Sequence, residues 1–224
     1  MKFLLFLGLA VVVAGANEFK RYEVKSGVVE YKLTTKMGAA GMGINIEGTR
    51  VIKFKDYGAK ELREEKTTTT QKMFGKTTKS SKHQMSLMNN GKTYAVDFKE
   101  KAIYEAGNIG GAMAGFAGSD MHKMGMEMLK KMGAKKVGTD TVAGIECDVW
   151  DLKGIKECIY KGVVLKMEAN IAGSKIEEVA TSAKFNVNIP DDELKLPNYP
   201  KKNIDNMMNQ MGNMMNGGMM NMGQ

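Results

Sequence analysis

Apolar and polar residues alternate with a period of two along most of the chain. Val29, Tyr31 and Leu33 are separated by Glu30 and Lys32, Ile44 and Ile46 by Asn45, and Ile52 and Phe54 by Lys53. Tyr94, Val96 and Phe98 repeat the pattern, and Val163, Leu165, Met167, Ala169 and Ile171 make its longest run. Ala183, Phe185, Val187 and Ile189 form a last one before Pro190. Successive side chains of a strand point to opposite faces, so this alternation predicts strands with one buried face. Gly48, Asn89-Asn90-Gly91, Lys153-Gly154, Lys161-Gly162 and Gly173-Ser174 lie between these runs and are predicted hairpin turns. The Thr-rich stretch Glu64–Lys82 has strand propensity but no clear buried face, which predicts an exposed edge or a mobile hairpin. Short strands joined by tight turns predict an antiparallel meander that curls on itself.

One segment departs from this rhythm. Met121, Met124, Met128 and Met132 are spaced to share one face of a helix over Met121–Met132. Ser119-Asp120 offers an N-cap, Lys130 and Lys131 lie in the last turn, and Gly133 fits the position after the C-cap. An amphipathic helix among strands has to cover something apolar, and the predicted target is the concave face of the sheet. The glycine-rich lead-in, Gly107–Gly118, could serve as its hinge.

Both ends differ from the middle. Lys2, the apolar run Phe3–Val13 and the small residues Ala14-Gly15-Ala16 predict a cleavable signal peptide over residues 1–16. The run is too short to span a bilayer, and Asn17 stands where a lipoprotein would need a cysteine. The expected product is a soluble periplasmic protein with a single β domain over residues 17–200. Residues 201–224 are rich in Met, Asn and Gly, which predicts a disordered tail.

Charge and cysteine content narrow the chemistry. The formal charge of +8 falls to +7 when Lys2 leaves with the signal peptide, and it is spread along the chain. That suits a solvated surface, or transient contact with an anionic membrane surface, and the export signal speaks against nucleic acid. Cys147 and Cys158 flank Asp151-Leu152-Lys153-Gly154. A hairpin pairing Asp151 with Gly154 would set the two cysteines directly opposite each other, which in an oxidising compartment predicts a structural disulfide.

From this region the chain resembles a known group. Gly138–Cys147 introduces Trp150-Asp151-Leu152-Lys153, followed by Lys161-Gly162-Val163-Val164-Leu165-Lys166 and the closing stretch Asn186–Pro197. This order resembles exported bacterial proteins of the LolA/LppX-like superfamily, including its DUF4412-type members, most closely over about Lys135–Pro197. The resemblance implies an open antiparallel barrel whose apolar concavity is closed by helices and takes up acyl chains. It also implies a cavity arginine in dedicated lipoprotein carriers, whereas Arg21, Arg50 and Arg63 lie in no motif that aligns. The expected fold is thus mainly β (α+β): a curved antiparallel sheet forming an open half-barrel, with a helix packed over its concave face.

The expected function is non-catalytic binding of a lipid or other apolar ligand, held by burial worth about 0.8 kcal/mol per CH₂ and not by a charged site. The alternative is copper binding. Met207, Met208, Met211, Met214, Met215, Met219, Met220 and Met222 supply soft thioethers that suit Cu(I). No other cofactor is expected. His83 and His122 fall in no metal-ligand or Ser-His-Asp pattern, and the glycines of Gly107–Gly118 make no phosphate loop, so no enzyme is expected.

Overall fold

The computed structural model describes residues 20–39, 42–106, 121–171 and 173–203. Within them a 12-stranded sheet dominates. Its strands are β1 (Gly27–Ala39), β2 (Met42–Lys55), β3 (Lys60–Met73), β4 (Lys76–Asn89), β5 (Lys92–Asp97) and β6 (Ala102–Ala106). A helix, α1 (Met121–Lys131), precedes β7 (Lys135–Val142), β8 (Ile145–Leu152), β9 (Ile155–Tyr160), β10 (Val163–Ile171), β11 (Ser174–Phe185) and β12 (Lys201–Asn203). The spatial order is β12-β6-β5-β4-β3-β2-β1-β11-β10-β9-β8-β7. Two meanders, β1–β6 and β7–β11, therefore lie side by side, joined where β1 pairs antiparallel with β11. The sheet is curved and unclosed, matching the expected half-barrel with a helix.

Tight turns make this meander possible. Five hairpins turn on a two-residue X-Gly loop with both residues at positive φ: Phe74-Gly75, Asn90-Gly91, Ala143-Gly144, Lys153-Gly154 and Lys161-Gly162. This is the pattern of the type I′ turn, whose twist matches that of the strands it joins. The sequence signal at Lys153-Gly154 and Lys161-Gly162 is thus realised, while Phe74-Gly75 and Ala143-Gly144 lack the Asn or Asp that advertises such turns.

Gly48, expected as a turn, lies in the middle of β2, where it pairs with Leu33 and Thr67. The period of two runs through it unbroken: Ile44, Ile46, Arg50, Ile52 and Phe54 are all in phase, so two predicted strands are one. Glycine stands there because of close approach. A Cβ would lie 2.3 Å from the Lys66 carbonyl oxygen.

The last predicted strand is shorter than its alternation. β11 stops at Phe185, and Asn186 at φ 54 turns the chain away. Its amide donates to the Ser26 carbonyl at 2.8 Å, and the Ser26 hydroxyl donates to the Val187 carbonyl at 2.6 Å. Val187 and Ile189 then belong to a segment that crosses the sheet and ends in β12, parallel to β6. Lys201–Asn203, expected in the tail, is thus part of the sheet.

Burial divides between two clusters. One gathers Tyr22, Val29, Tyr31, Ile52, Phe54 and Leu165 with residues of β7–β9 and β11. The other gathers Leu62, Ile189 and Leu194, with Val28, Met85, Leu87, Val187 and Leu196 packed on it. Val29 and Val28 are neighbours in β1 yet fall in different clusters, so both faces of the central strands are covered.

The disulfide forms between Cys147 and Cys158, with Cα atoms 5.4 Å apart. Its register differs from the expected one. Leu152 pairs with Ile155, so Cys158 lies opposite Val149, and the cysteines are diagonal neighbours. Lys153-Gly154 alone makes the turn, which shifts the pairing by two residues. An even shift keeps both cysteines on one face, and strand twist brings one diagonal close.

The helix ends as predicted. Gly133 has φ +96, its amide reaches the Lys130 carbonyl at 3.0 Å, and the Ala134 amide reaches that of Leu129 at 2.9 Å. That pair of bonds is the Schellman motif. The stripe is another matter. Met128 and Met132 are 63% and 52% exposed, and Met126 and Leu129 are the partly buried residues. Met126 enters a groove of about 280 Å³ beside Trp150 and Tyr160, and Lys130 Nζ lies 5.7 Å from the Trp150 ring centre. Apolar residues occupy more than one face of this Met-rich helix, so spacing alone could not select the buried one. The side chains of Met121 and Met124, like the expected hinge Gly107–Gly118 and cap Ser119-Asp120, lie outside the described residues.

Candidate ligand-binding cleft

Beyond the pair Met85–Val96, β5 parts from β4 while β4 continues to Lys76. A cleft of about 830 Å³ opens there, within the range of small-molecule sites. Arg50, Arg63 and Glu65 of β2 and β3 line it. Ser81–Ser86 of β4, Ala95–Glu100 and Tyr104 complete it. Its apolar lining is Met85, Ala95, Val96, Phe98 and Tyr104, and the His83 ring stacks on Phe98 at 3.8 Å between centroids. His83 Nε2 is 2.9 Å from Glu64 Oε1. Lys82 and Lys99 reach the cleft without an ion pair among the described residues.

Strand register explains the charge beside it. On one face of the sheet Phe54 pairs with Glu61, Ile52 with Arg63 and Arg50 with Glu65, so the apolar face of β2 meets a charged ladder on β3. Glu61 is only 3% exposed. Tyr22 Oη donates to its Oε2 at 2.5 Å, Arg63 Nε donates to Oε1 at 2.6 Å, and Arg21 Nη1 lies 3.2 Å from Oε2. Burial pushes the Glu61 carboxyl up, but Arg21, Arg63 and the Tyr22 hydroxyl outweigh it and hold the group below the usual glutamate range. Burial, and then the neighbouring Glu61, push the Tyr22 hydroxyl up. Arg50 bridges Glu65, at 2.8 Å, and Glu178 of β11.

All three arginines that sequence reasoning left unplaced are therefore on carboxylates of this one face, and Arg50 and Arg63 line the cleft. No motif could have shown it, because the pairing of β2 with β3 and of β1 with β11 brings them together. The cleft joins apolar groups to charges of both signs, Arg50, Arg63, Lys82 and Lys99 beside Glu65, Asp97 and Glu100.

Glu157 adds a titratable group nearby. Burial, and then the charge of Glu178, raise its carboxyl above the usual glutamate range. A carboxyl raised on folding contributes stability that is full below its unfolded pKa and is lost as pH rises through its folded value. Glu157→Gln is expected to raise the thermal midpoint at neutral pH, with the gain shrinking as pH falls through the raised folded value and gone below the ordinary glutamate pKa of about 4.3. Thermal melts of both proteins between pH 3 and pH 8 check this, and a gain that grows as pH falls would contradict it.

The signal peptide and the tail methionines, Met207, Met208, Met211, Met214, Met215, Met219, Met220 and Met222, lie outside the described residues, as does the side chain of His122. Among the described residues no group of three or more His, Cys, Asp or Glu could hold a metal ion. None of the described helices is long and apolar enough to cross a membrane.

Fold and cleft together define an open antiparallel half-barrel with a side cleft. The sequence matches no protein-family model and no curated protein, so the expected DUF4412-type membership gains no support. Among solved structures the fold is similar to that of MucB, at 13% identity and TM-score 0.42 over 82% of this chain. The chain spans 61% of that protein's length. It is also similar to a putative outer membrane lipoprotein-sorting protein domain from Vibrio parahaemolyticus (10% identity, TM-score 0.30, 78% of this chain and 92% of that one). A DUF1329 family protein from Desulfovibrio piger is a further likeness (10% identity, TM-score 0.26, 77% and 90%). All three TM-scores fall below 0.5, so these are likenesses of architecture and bear no weight for a ligand.

Proposed function

We propose that the protein is a non-catalytic binding protein, exported to the periplasm, for a lipid or related amphiphile. The observation that carries this reading is the cleft of about 830 Å³, where Met85, Phe98 and Tyr104 offer apolar surface next to Lys82 and Lys99. An acyl chain buries about 0.8 kcal/mol per CH₂ against the first group, and an anionic head faces the second. The Cys147–Cys158 disulfide supports the compartment, since such bonds persist where thiols are oxidised.

Organic extraction of the purified protein followed by mass spectrometry is expected to recover acyl compounds, and a fluorescent fatty acid is expected to bind. Ala95 lines the cleft and is only partly buried, so Ala95→Trp fills space that the ligand uses. Displacing two or more CH₂ groups weakens probe binding by about tenfold or more. Recovery of no acyl compound together with no probe response would overturn the reading. Undiminished binding by Ala95→Trp would move the site elsewhere in the molecule.

A further inference from the structure

The hairpin β3–β4 reaches well past its neighbour β5. Lys76–Gln84 has no strand partner on its outer side among the described residues, and at about 3.4 Å per residue it projects roughly 30 Å beyond the last β4–β5 pair. β1 and β2 run alongside as far as Met42, which pairs with Met73. The two hairpins thus end together as a blade.

The tip of that blade is apolar in a way that folding does not require. Phe74 is 79% exposed, and Met73 and Met42 beside it are also exposed. Ile171, at the same end of the sheet but on β10, separated from β1 by β11, is a fourth exposed apolar residue. Phe74 is also at φ 46, the first position of its type I′ turn. The left-handed region disfavours a bulky aromatic, and the equivalent positions of the other four X-Gly turns hold Asn90, Ala143, Lys153 and Lys161. An aromatic ring that is both exposed and backbone-strained points to a role at that spot.

Charge identifies what the tip meets. Residues 35–46 and 69–80, the outer parts of the two hairpins, carry Lys36, Lys72, Lys76 and Lys79 and no Asp or Glu. Apolar side chains ringed by lysines fit the boundary of an anionic bilayer, where rings enter between headgroups and ammonium groups meet phosphates. We propose that the blade is a membrane-docking device, with Phe74, Met73 and Met42 entering the interfacial layer and Lys36, Lys72, Lys76 and Lys79 bound to anionic headgroups. It stands on residues the cleft does not use.

Cosedimentation of the purified protein with vesicles tests this. Binding is expected to vesicles of phosphatidylglycerol and phosphatidylethanolamine, to weaken at high salt, and to be far lower with phosphatidylcholine alone. Met73→Ser with Phe74→Ser is expected to weaken binding by about tenfold or more. Lys72→Glu with Lys76→Glu is expected to abolish the preference for anionic lipid. Both variants alter exposed positions, so an unchanged urea midpoint and unchanged uptake of a fluorescent fatty acid show that fold and cleft are intact. A wild type that binds no vesicle, or a Met73→Ser, Phe74→Ser variant that binds as tightly as the wild type, overturns the proposal, and a tip that serves a protein partner would give the first of these results.

Discussion

Replacing Glu61 by glutamine lowers the unfolding free energy by about 1.5–3 kcal/mol at neutral pH, the range for hydrogen bonds to a charged group, because water still reaches the Arg21 and Arg63 side chains, 28% and 43% exposed. The carboxylate is buried and accepts from Tyr22 and Arg63, with Arg21 alongside. Glutamine keeps the shape but leaves two guanidinium groups without their counter-charge. The pH dependence follows from the direction of the shift. Because the folded pKa is depressed, the stabilisation is complete above the unfolded value of about 4.3 and is lost as pH falls through the lower folded value. The gap between wild type and Glu61→Gln in urea midpoint is therefore expected to be widest near pH 7 and to narrow below about pH 4. A gap that stays constant down to pH 2 would assign the effect to packing and not to charge. Glu61→Met combined with Arg63→Met is expected to recover only part of the loss, since it removes the Arg63 charge but leaves Arg21 and the Tyr22 hydroxyl without their carboxylate.

This charged network marks where local pattern stops being informative. Alternation along β1, β2 and β10 was readable because each strand has its own apolar face, and a period of two survives any partner. Glu61, Arg63 and Glu65 alternate just as regularly, but their types suggest a solvated face. What buries Glu61 is Phe54 opposite it in β2 and Tyr22 above, whose rings lie 4.4 Å apart. Both come from elsewhere in the chain. The order of the strands was hidden for the same reason: pairing β1 with β11 joins Gly27 to Phe185, a contact no short window contains. The Cys147–Cys158 bond lay at the other extreme, since a single turn sets it and even a register wrong by two residues preserves it. Val187 and Ile189 show a subtler failure. Their alternation with Asn186 and Asn188 looks like strand, and they are indeed apolar contacts, but the left-handed Asn186 sends them to the opposite face.

That crossing segment carries the second large effect. Leu194 is 1% exposed and, with Leu62 and Ile189, forms the centre of the second core. Leu194→Ala is expected to destabilise the protein by about 2–5 kcal/mol, combining lost burial with a cavity that a 3-10 turn at Asp191–Leu194 has little freedom to fill. The ion pairs of the same turn suggest a rival account. Asp191 accepts from Lys55 and Lys60, each at 2.7 Å, and these hydrogen bonds, with the lysine charges behind them, lower its carboxyl to about 2. Asp191 is 67% exposed, however, so water screens its charge, and the lysine side chains lose freedom by pairing with it. Asp191→Asn is accordingly expected to shift the urea midpoint much less than Leu194→Ala at pH 7. The reverse order would mean that lysine contacts, and not the leucine, hold the segment down. Because β12 follows this segment and pairs with β6, loosening it should also release the β6 edge. Faster amide exchange in Ala102–Ala106 of Leu194→Ala, with exchange in β8 and β9 unchanged, is the expected signature of that coupling.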